Sequence, residues 1–267
     1  MEVSKLCLGC MGFGEPERGR EKWSIGETES REIIKKALDS GINFFDTANL
    51  YSYGSSEEIV GKALKDFANR DEIVLASKLY FPMFDGPNAK GLSRKSIFAE
   101  IDHSLKRLQT DYLDLYIIHR WDYGTPIEET MEALHDLVKM GKVRYIGASS
   151  MHAWQFAKAQ FIAEKNGWTK FVSMQNLYNL LYREEEREMI PLLQDRKVAM
   201  TPWSPLAGGR LTRDIGAVTA RTSQAVEANL PAYIVASDNE IISRVHKLAD
   251  ERGITRGQVA TAWMLSK

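Results

Sequence analysis

The stretch Val3-Ser4-Lys5-Leu6-Cys7-Leu8-Gly9-Cys10-Met11-Gly12-Phe13-Gly14 decides between two ways of folding the whole chain. Its first half, Val3–Gly9, reads as a strand. Its second half is glycine-rich but lacks Gly-x-Gly-x-x-Gly, the turn by which an open doubly wound sheet seats a dinucleotide after its first strand. From residue 29 onward short apolar runs alternate with long amphipathic stretches, the signature of βα units and a parallel sheet. Such a repeat either stays open or closes into a (β/α)8 TIM barrel, and the missing fingerprint favours the barrel.

Further strands are predicted at Ile42–Asp46, Ile73–Lys78, Leu113–His119, Val143–Ser149, Phe171–Gln175 and Val198–Pro202. They are apolar nearly throughout, as strands covered on both faces must be. Helices are predicted at Glu29–Ser40, Ser55–Phe67, Ser93–Leu108, Pro126–Met140, Ala153–Asn166, Glu184–Gln194, Asn239–Glu251 and Gly257–Leu265. Ser55 with Glu58 has the spacing of a capping box, Pro126 suits a first turn, and Gly41, Gly141 and Gly253 follow helix ends. No Pro/Gly/Ser-rich linker interrupts the repeat, so residues 1–267 are expected to form a single domain. A barrel needs eight strands, and seven precede the closing helix and Ser266-Lys267. Either the chain stops short of its last βα unit, or the run Ala232–Ser237, with Asn239–Glu251 as its helix, stands in for it.

With 35 basic against 36 acidic side chains, the formal net charge of −1 carries no basic footprint for nucleic acid. No apolar run approaches the roughly 18 residues of a membrane span, and no secretory leader pattern opens the chain. A cytoplasmic protein with a small-molecule partner, no nucleic acid and no membrane is the expectation. Cys7 and Cys10, the chain's two cysteines, form a Cys-x-x-Cys that fits redox chemistry or half a zinc site. No second Cys/His pair at metal spacing accompanies it, so both are expected as buried thiols, with no metal.

Polar residues gather where the strands end, the edge at which barrels place their active sites. Asp46, Lys78 and His119 close the second, third and fourth strands, and Tyr51 follows on the loop after Asp46. The later strands deliver Ser149 and Ser150, Gln175 and Asn176, then Trp203 and Ser204. Each alone has a plain explanation as a cap, a solvated charge or a satisfied histidine; together they converge on one mouth. A phenol near pKa 10 is a poor donor at neutral pH, and a nearby ammonium is expected to lower that value. Asp46 would then hold Lys78 as an ion pair, while His119 hydrogen-bonds the substrate oxygen or helps relay the proton. Such a group donates a proton to an oxygen gaining negative charge, which suits reduction of a carbonyl by a cofactor's hydride.

The run Gly41-Ile42-Asn43-Phe44-Phe45-Asp46-Thr47-Ala48, followed by Tyr51, Gly54 and Ser56-Glu57, closely resembles the aldo-keto reductases. So do Lys78 after its strand, His119-Arg120 after Asp114-Leu115, the run Gly141–Gly147, and Trp203-Ser204-Pro205-Leu206-Ala207-Gly208-Gly209. The resemblance covers almost the whole chain, and its motifs occur in the family's order. It implies a (β/α)8 barrel that binds NADPH, or less often NADH, without a dinucleotide fingerprint. It further implies Tyr51 as general acid, with Asp46, Lys78 and His119 completing a tetrad. Ser149 and Gln175 match residues that bind the nicotinamide carboxamide, and Ser150 stands where many members carry Asn. Trp203 matches the aromatic that stacks on the nicotinamide ring. Ser204, Leu206 and Gly208 match the loop that meets the pyrophosphate, with Arg210 adding a charge there. Measured against the family, the chain is expected to lack the N-terminal hairpin and the eighth βα unit.

An NAD(P)H-dependent reductase of aldehydes or ketones, monomeric or weakly homo-oligomeric, is the leading expectation. A nicotinamide-binding regulatory module and a catalytically impaired short reductase are the alternatives. Elsewhere, the run Arg183-Glu184-Glu185-Glu186-Arg187-Glu188 reads as a solvated helix face. Tyr80, Phe84, Trp121 and Tyr123 follow strand ends and are placed to line a substrate pocket, and the loop Phe81–Gly91 is long enough to shape specificity.

Overall fold

Each of the seven predicted apolar runs from Val3–Gly9 to Val198–Pro202 contains a strand in the computed structural model, which describes residues 1–19, 21–220, 223 and 237–267. The chain divides into two units, Met1–Met174 and Gln175–Lys267. The first alternates β1 (Cys7–Gly9), α1 (Glu27–Asp39), β2 (Phe44–Asp46), α2 (Ser55–Phe67), β3 (Val74–Leu79) and α3 (Arg94–Leu108). It continues with β4 (Leu113–Ile118), α4 (Ile127–Lys139), β5 (Val143–Ser149), α5 (Ala153–Asn166) and β6 (Phe171–Gln175), whose last residue opens the second unit. Strands β1 to β6 lie side by side in chain order, and the registers from β1 to β5 are parallel.

Register and the two-residue period of a strand sort the side chains into two faces. Phe44 pairs with Val74, Asp46 with Ala76, Ala76 with Leu115 and Lys78 with Ile117. One face therefore carries Phe44, Val74, Ala76, Leu115 and Ile117 as a packed apolar cluster. The same rows continue, two residues on, into Asp46, Lys78 and His119. On the other face Phe45, Leu75, Leu79, Tyr116 and Ile118 are buried.

The second unit holds a 3-10 turn (Glu184–Glu186), α6 (Met189–Arg196), β7 (Ala199–Met200), α7 (Asp238–Arg252) and α8 (Arg256–Leu265). Leu211, Ile242, Val245, Ala249, Val259 and Ala260 form its buried cluster, with Leu180 and Leu181 packed against it. Seven strands are found among the described residues, at the seven predicted places. The run Ala232–Ser237 lies outside the described residues except for Ser237, which precedes α7 as its N-cap residue.

Several local expectations change. Ser55 is the first residue of α2, not its cap; left-handed Gly54 occupies that position, and the Ser55 hydroxyl accepts a bond from the Glu15 N–H at 2.8 Å. Glu58 is drawn to Arg18 at 2.7 Å, so no capping box forms. The helix predicted over Glu184–Gln194 is a 3-10 turn followed by the shorter α6, with Glu188 in a non-helical conformation between them. Cys10 is buried but Cys7 is exposed, because β1 borders β2 on one side only within this unit.

Helices α2 and α3 approach so closely at Gly61 that a Cβ there would lie 2.5 Å from the Leu108 carbonyl oxygen. Helix propensity alone makes Ala better than Gly by about 1 kcal/mol, whereas overpacking against backbone costs about 1–3 kcal/mol. Crowding should win. Gly61→Ala is expected to lower the urea midpoint at unchanged slope; a higher midpoint would show that the two helices separate without cost.

Candidate active site

Lys78 is fully buried, and an ammonium without water must find three acceptors in the protein. It finds them at the Asp46 carboxylate (2.6 Å), the Thr47 carbonyl (2.8 Å) and the Tyr51 hydroxyl (3.2 Å). The strand ladder makes this possible by running past the end of β2: the Thr47 N–H donates to Ala76 O and the Asn49 N–H to Lys78 O. Those two bonds draw the loop back over β3, so that Tyr51 is delivered to the lysine. Burial by itself would lower the Lys78 pKa, but the charge of Asp46 and the bonds to Asp46 and Tyr51 outweigh it, and the net direction is upward. The lysine stays charged.

Tyr51 heads a short turn in which Ser52 (φ 45°) and Tyr53 (φ 46°) are both left-handed, a costly conformation for residues with side chains. The turn is held from outside. Ser52 is buried against Gly14, where a Cβ would sit 2.3 Å from the serine Oγ. The glycine-rich connection after β1, which carries no dinucleotide fingerprint, thus makes room for the tyrosine turn. Lys78 pulls the phenol pKa down as expected, but loss of water around the hydroxyl, helped by the charge of Asp46, outweighs it, and the net direction is upward. Tyr51 keeps its proton through neutral pH.

His119 follows β4, with its N–H donating to Leu79 O at 2.9 Å, and its ring lies edge-on to Tyr51 at 5.9 Å between centroids. Burial first, then the charges of Lys78 and Arg120, hold its pKa well below the usual imidazole value. The ring is neutral at pH 7. Its Nδ1 is buried with no hydrogen-bond partner among the described residues. Asp46, Tyr51, Lys78 and His119 therefore form one cluster, as expected.

Ser149 ends β5 with its hydroxyl 3.1 Å from that of Ser150, which takes a left-handed φ of 52°. In the second unit, Gln175 is buried and Trp203 half-buried, the Trp203 N–H donating to Asn176 O at 2.9 Å and Trp203 bridging to Leu177. The Ser204 carbonyl accepts from the Asn179 amide at 3.0 Å. After Leu206, the residues Ala207, Gly208 and Gly209 all have positive φ, and a Cβ at Gly208 would meet nothing within 4 Å. The turn is closed on itself: the Ala207 N–H donates to Ser204 O and the Gly209 N–H to Leu206 O, both at 2.9 Å. The Arg210 guanidinium pairs with Asp238 at 2.8 Å, since that buried carboxylate needs a counter-charge.

The family model for the aldo/keto reductase family matches residues 5–267. The chain belongs to the aldo/keto reductase family. It is 47% identical to versiconal hemiacetal acetate reductase of Aspergillus parasiticus, over 100% of this chain and 83% of that protein. It is 45% identical to the aldo-keto reductase AMT2 of Alternaria alternata, over 98% of this chain and 77% of that protein. The aldo-keto reductase dtxS3 of Metarhizium robertsii is 41% identical, over 99% and 78% of the two chains. This aldo-keto reductase is accordingly an NAD(P)H-dependent oxidoreductase. No helix among its described residues is long and apolar enough to cross a membrane.

A second polar network in the reductase went unread in the sequence. Glu57, fully buried in α2, accepts from Ser77 Oγ and from Arg107 Nε, both at 2.5 Å. Asn49, on the tyrosine loop, donates to Glu100 of α3 at 2.7 Å, and Thr47 Oγ1 lies 2.9 Å from Ser56 Oγ. The loop that carries Tyr51 is thus fastened to α2 and α3 on its outer side, as Lys78 fastens it on the inner. In the sequence Ser56-Glu57 stood out only as part of the family motif, and an acidic residue at an apolar helix position does not by itself separate a buried charge from a solvated one.

The depressed pKa of His119 sets a sign for stability against pH. Unfolded, the imidazole titrates near 6.5, so below that pH the unfolded chain takes up a proton that the folded chain refuses. Stability present above about pH 6.5 is lost as pH falls toward the folded value. Thermal midpoints measured across this range should fall more steeply for the native reductase than for His119→Asn; parallel curves would place the ring in contact with water.

Proposed function

We propose that this protein reduces an aldehyde or ketone to the alcohol, with Tyr51 as the proton donor. The observation that carries the reading is the saturation of Lys78. All three of its donors are used, one of them on the Tyr51 oxygen. Lysine offers no acceptor, so the phenol oxygen accepts from it and the phenol's own hydrogen is left to point elsewhere. A raised pKa keeps that hydrogen in place until an oxygen beside it gains charge. As the Tyr51 oxygen gives up its proton, the adjacent ammonium stabilises the negative charge left on it, so the same contact serves before and after transfer.

His119, neutral, carries a hydrogen on one ring nitrogen and donates to the same substrate oxygen, without competing as a charged acid. NADPH, or NADH in its place, supplies the hydride when bound. Ser149, Ser150 and Gln175 are the residues for its carboxamide, Trp203 for its ring, and Ser204, Leu206 and Gly208 for its pyrophosphate. A family match that spans both units supports one catalytic domain over 1–267, with the strands belonging to a (β/α)8 barrel. A cytoplasmic, monomeric or weakly homo-oligomeric protein completes the reading.

Tyr51→Phe removes the proton and keeps the ring. Turnover over a panel of aliphatic and aromatic carbonyls should fall by about 10²–10⁴, while quenching of tryptophan emission by NADPH stays as in the native protein. Undiminished turnover would refute the assignment of the donor.

A further inference from the structure

Between the loop that follows β3 and the start of α3, the first unit contains a cavity of about 250 Å³ outside the tetrad. Phe81 and Phe84 form part of its wall, and Lys90, Lys95, Glu100 and His103 line it. The acidic charge in this set is already engaged. Glu100 Oε1 lies 3.3 Å from His103 Nδ1, and Oε2 accepts from Asn49 at 2.7 Å with Arg107 at 4.0 Å. The two lysines differ: among the described residues neither ammonium makes an ion pair or a side-chain hydrogen bond, and Lys90 acts only at longer range on Asp122. Asp122 is itself held by the Leu92 and Gly124 N–H groups and the Thr125 hydroxyl. Two like charges without counter-charge at one aromatic-walled cavity favour an anion with a flat apolar body. The volume lies below the roughly 300–1,000 Å³ of sites for drug-sized ligands, which limits that body to about one ring.

The cavity also touches the tetrad's supports. The Phe81 ring packs edge-on against His119 at 5.0 Å between centroids, and Glu100 anchors Asn49, whose N–H bonds the Lys78 carbonyl. A ligand resting on Phe81 and near Glu100 therefore presses on two groups that position the candidate active site. We propose that this cavity is a second binding site, for a small aromatic carboxylate, whose occupancy is transmitted to His119 through Phe81. It goes beyond the carbonyl reduction proposed above and does not depend on it.

Benzoate is the probe, with benzamide as its uncharged counterpart. Binding is followed by calorimetry and by the His119 ring resonances in ¹⁵N-labelled protein. Native protein should bind benzoate saturably, at least tenfold more tightly than benzamide, with a shift of the His119 signals. Lys90→Ala/Lys95→Ala, both exposed positions outside the tetrad, should weaken benzoate at least tenfold and abolish the benzoate-induced His119 shift while the His119 resonances without benzoate stay at their native positions. Tyr51→Phe should bind benzoate as the native protein does. Absence of saturable binding, equal binding by the double-lysine variant, or loss of binding in Tyr51→Phe would each overturn the proposal, the last by placing benzoate at the tetrad.

Discussion

A buried ammonium is the constraint on which the first unit is built. Lys78 has no water, and one sheet register and one loop path satisfy its three donors together. The Asp46 carboxylate must close the neighbouring strand on the same face, the Thr47 carbonyl must turn inward, and the Tyr51 hydroxyl must come back over β3. Shifting β2 by one residue against β3 would point Asp46 to the helices and leave the lysine's charge uncompensated, at a cost of several kcal/mol. The requirement that stabilises this register is also the one that positions the phenol.

The two faces of β3 carry two different electrostatic solutions. On the Lys78 face the ion pair is accompanied by a hydroxyl and a carbonyl, and Tyr51 remains partly exposed. On the Ser77 face Glu57 and Arg107 form a closed pair with no exposure of the carboxylate. The closed pair holds helices against the sheet; the open one leaves a donor facing outward. Burial raises the tyrosine pKa and lowers that of His119, so both groups sit in their uncharged, protonated-donor forms at neutral pH. The loop turn at Ser52 and Tyr53, left-handed at two successive positions, is kept by contacts from Gly14, from Asn49–Glu100 and from Lys78 rather than by its own preference.

Much of this was legible beforehand because strand and helix periods are short-range properties. Helices Ser55–Phe67 and Ala153–Asn166 and strands Val143–Ser149 and Phe171–Gln175 occupy their expected bounds. Asp46, Lys78 and His119 were readable because each ends an apolar run, and runs of parallel strands end on one edge. Where the expectation failed, a partner distant in sequence won. Glu58 left its capping role for Arg18, forty residues away. Lys78 does pull on the phenol as anticipated, yet desolvation, which no spacing encodes, outweighs it.

The sequence by itself determined the order of elements, the parallel sheet they build and the identities of the four clustered groups, because periodicity and strand-end placement are local. Only the tertiary structure decided which acceptors each donor meets, which way each pKa moves and which carboxylates are buried. Those depend on distance and exclusion of water between residues far apart in the chain, and neither quantity is written in the order of the residues.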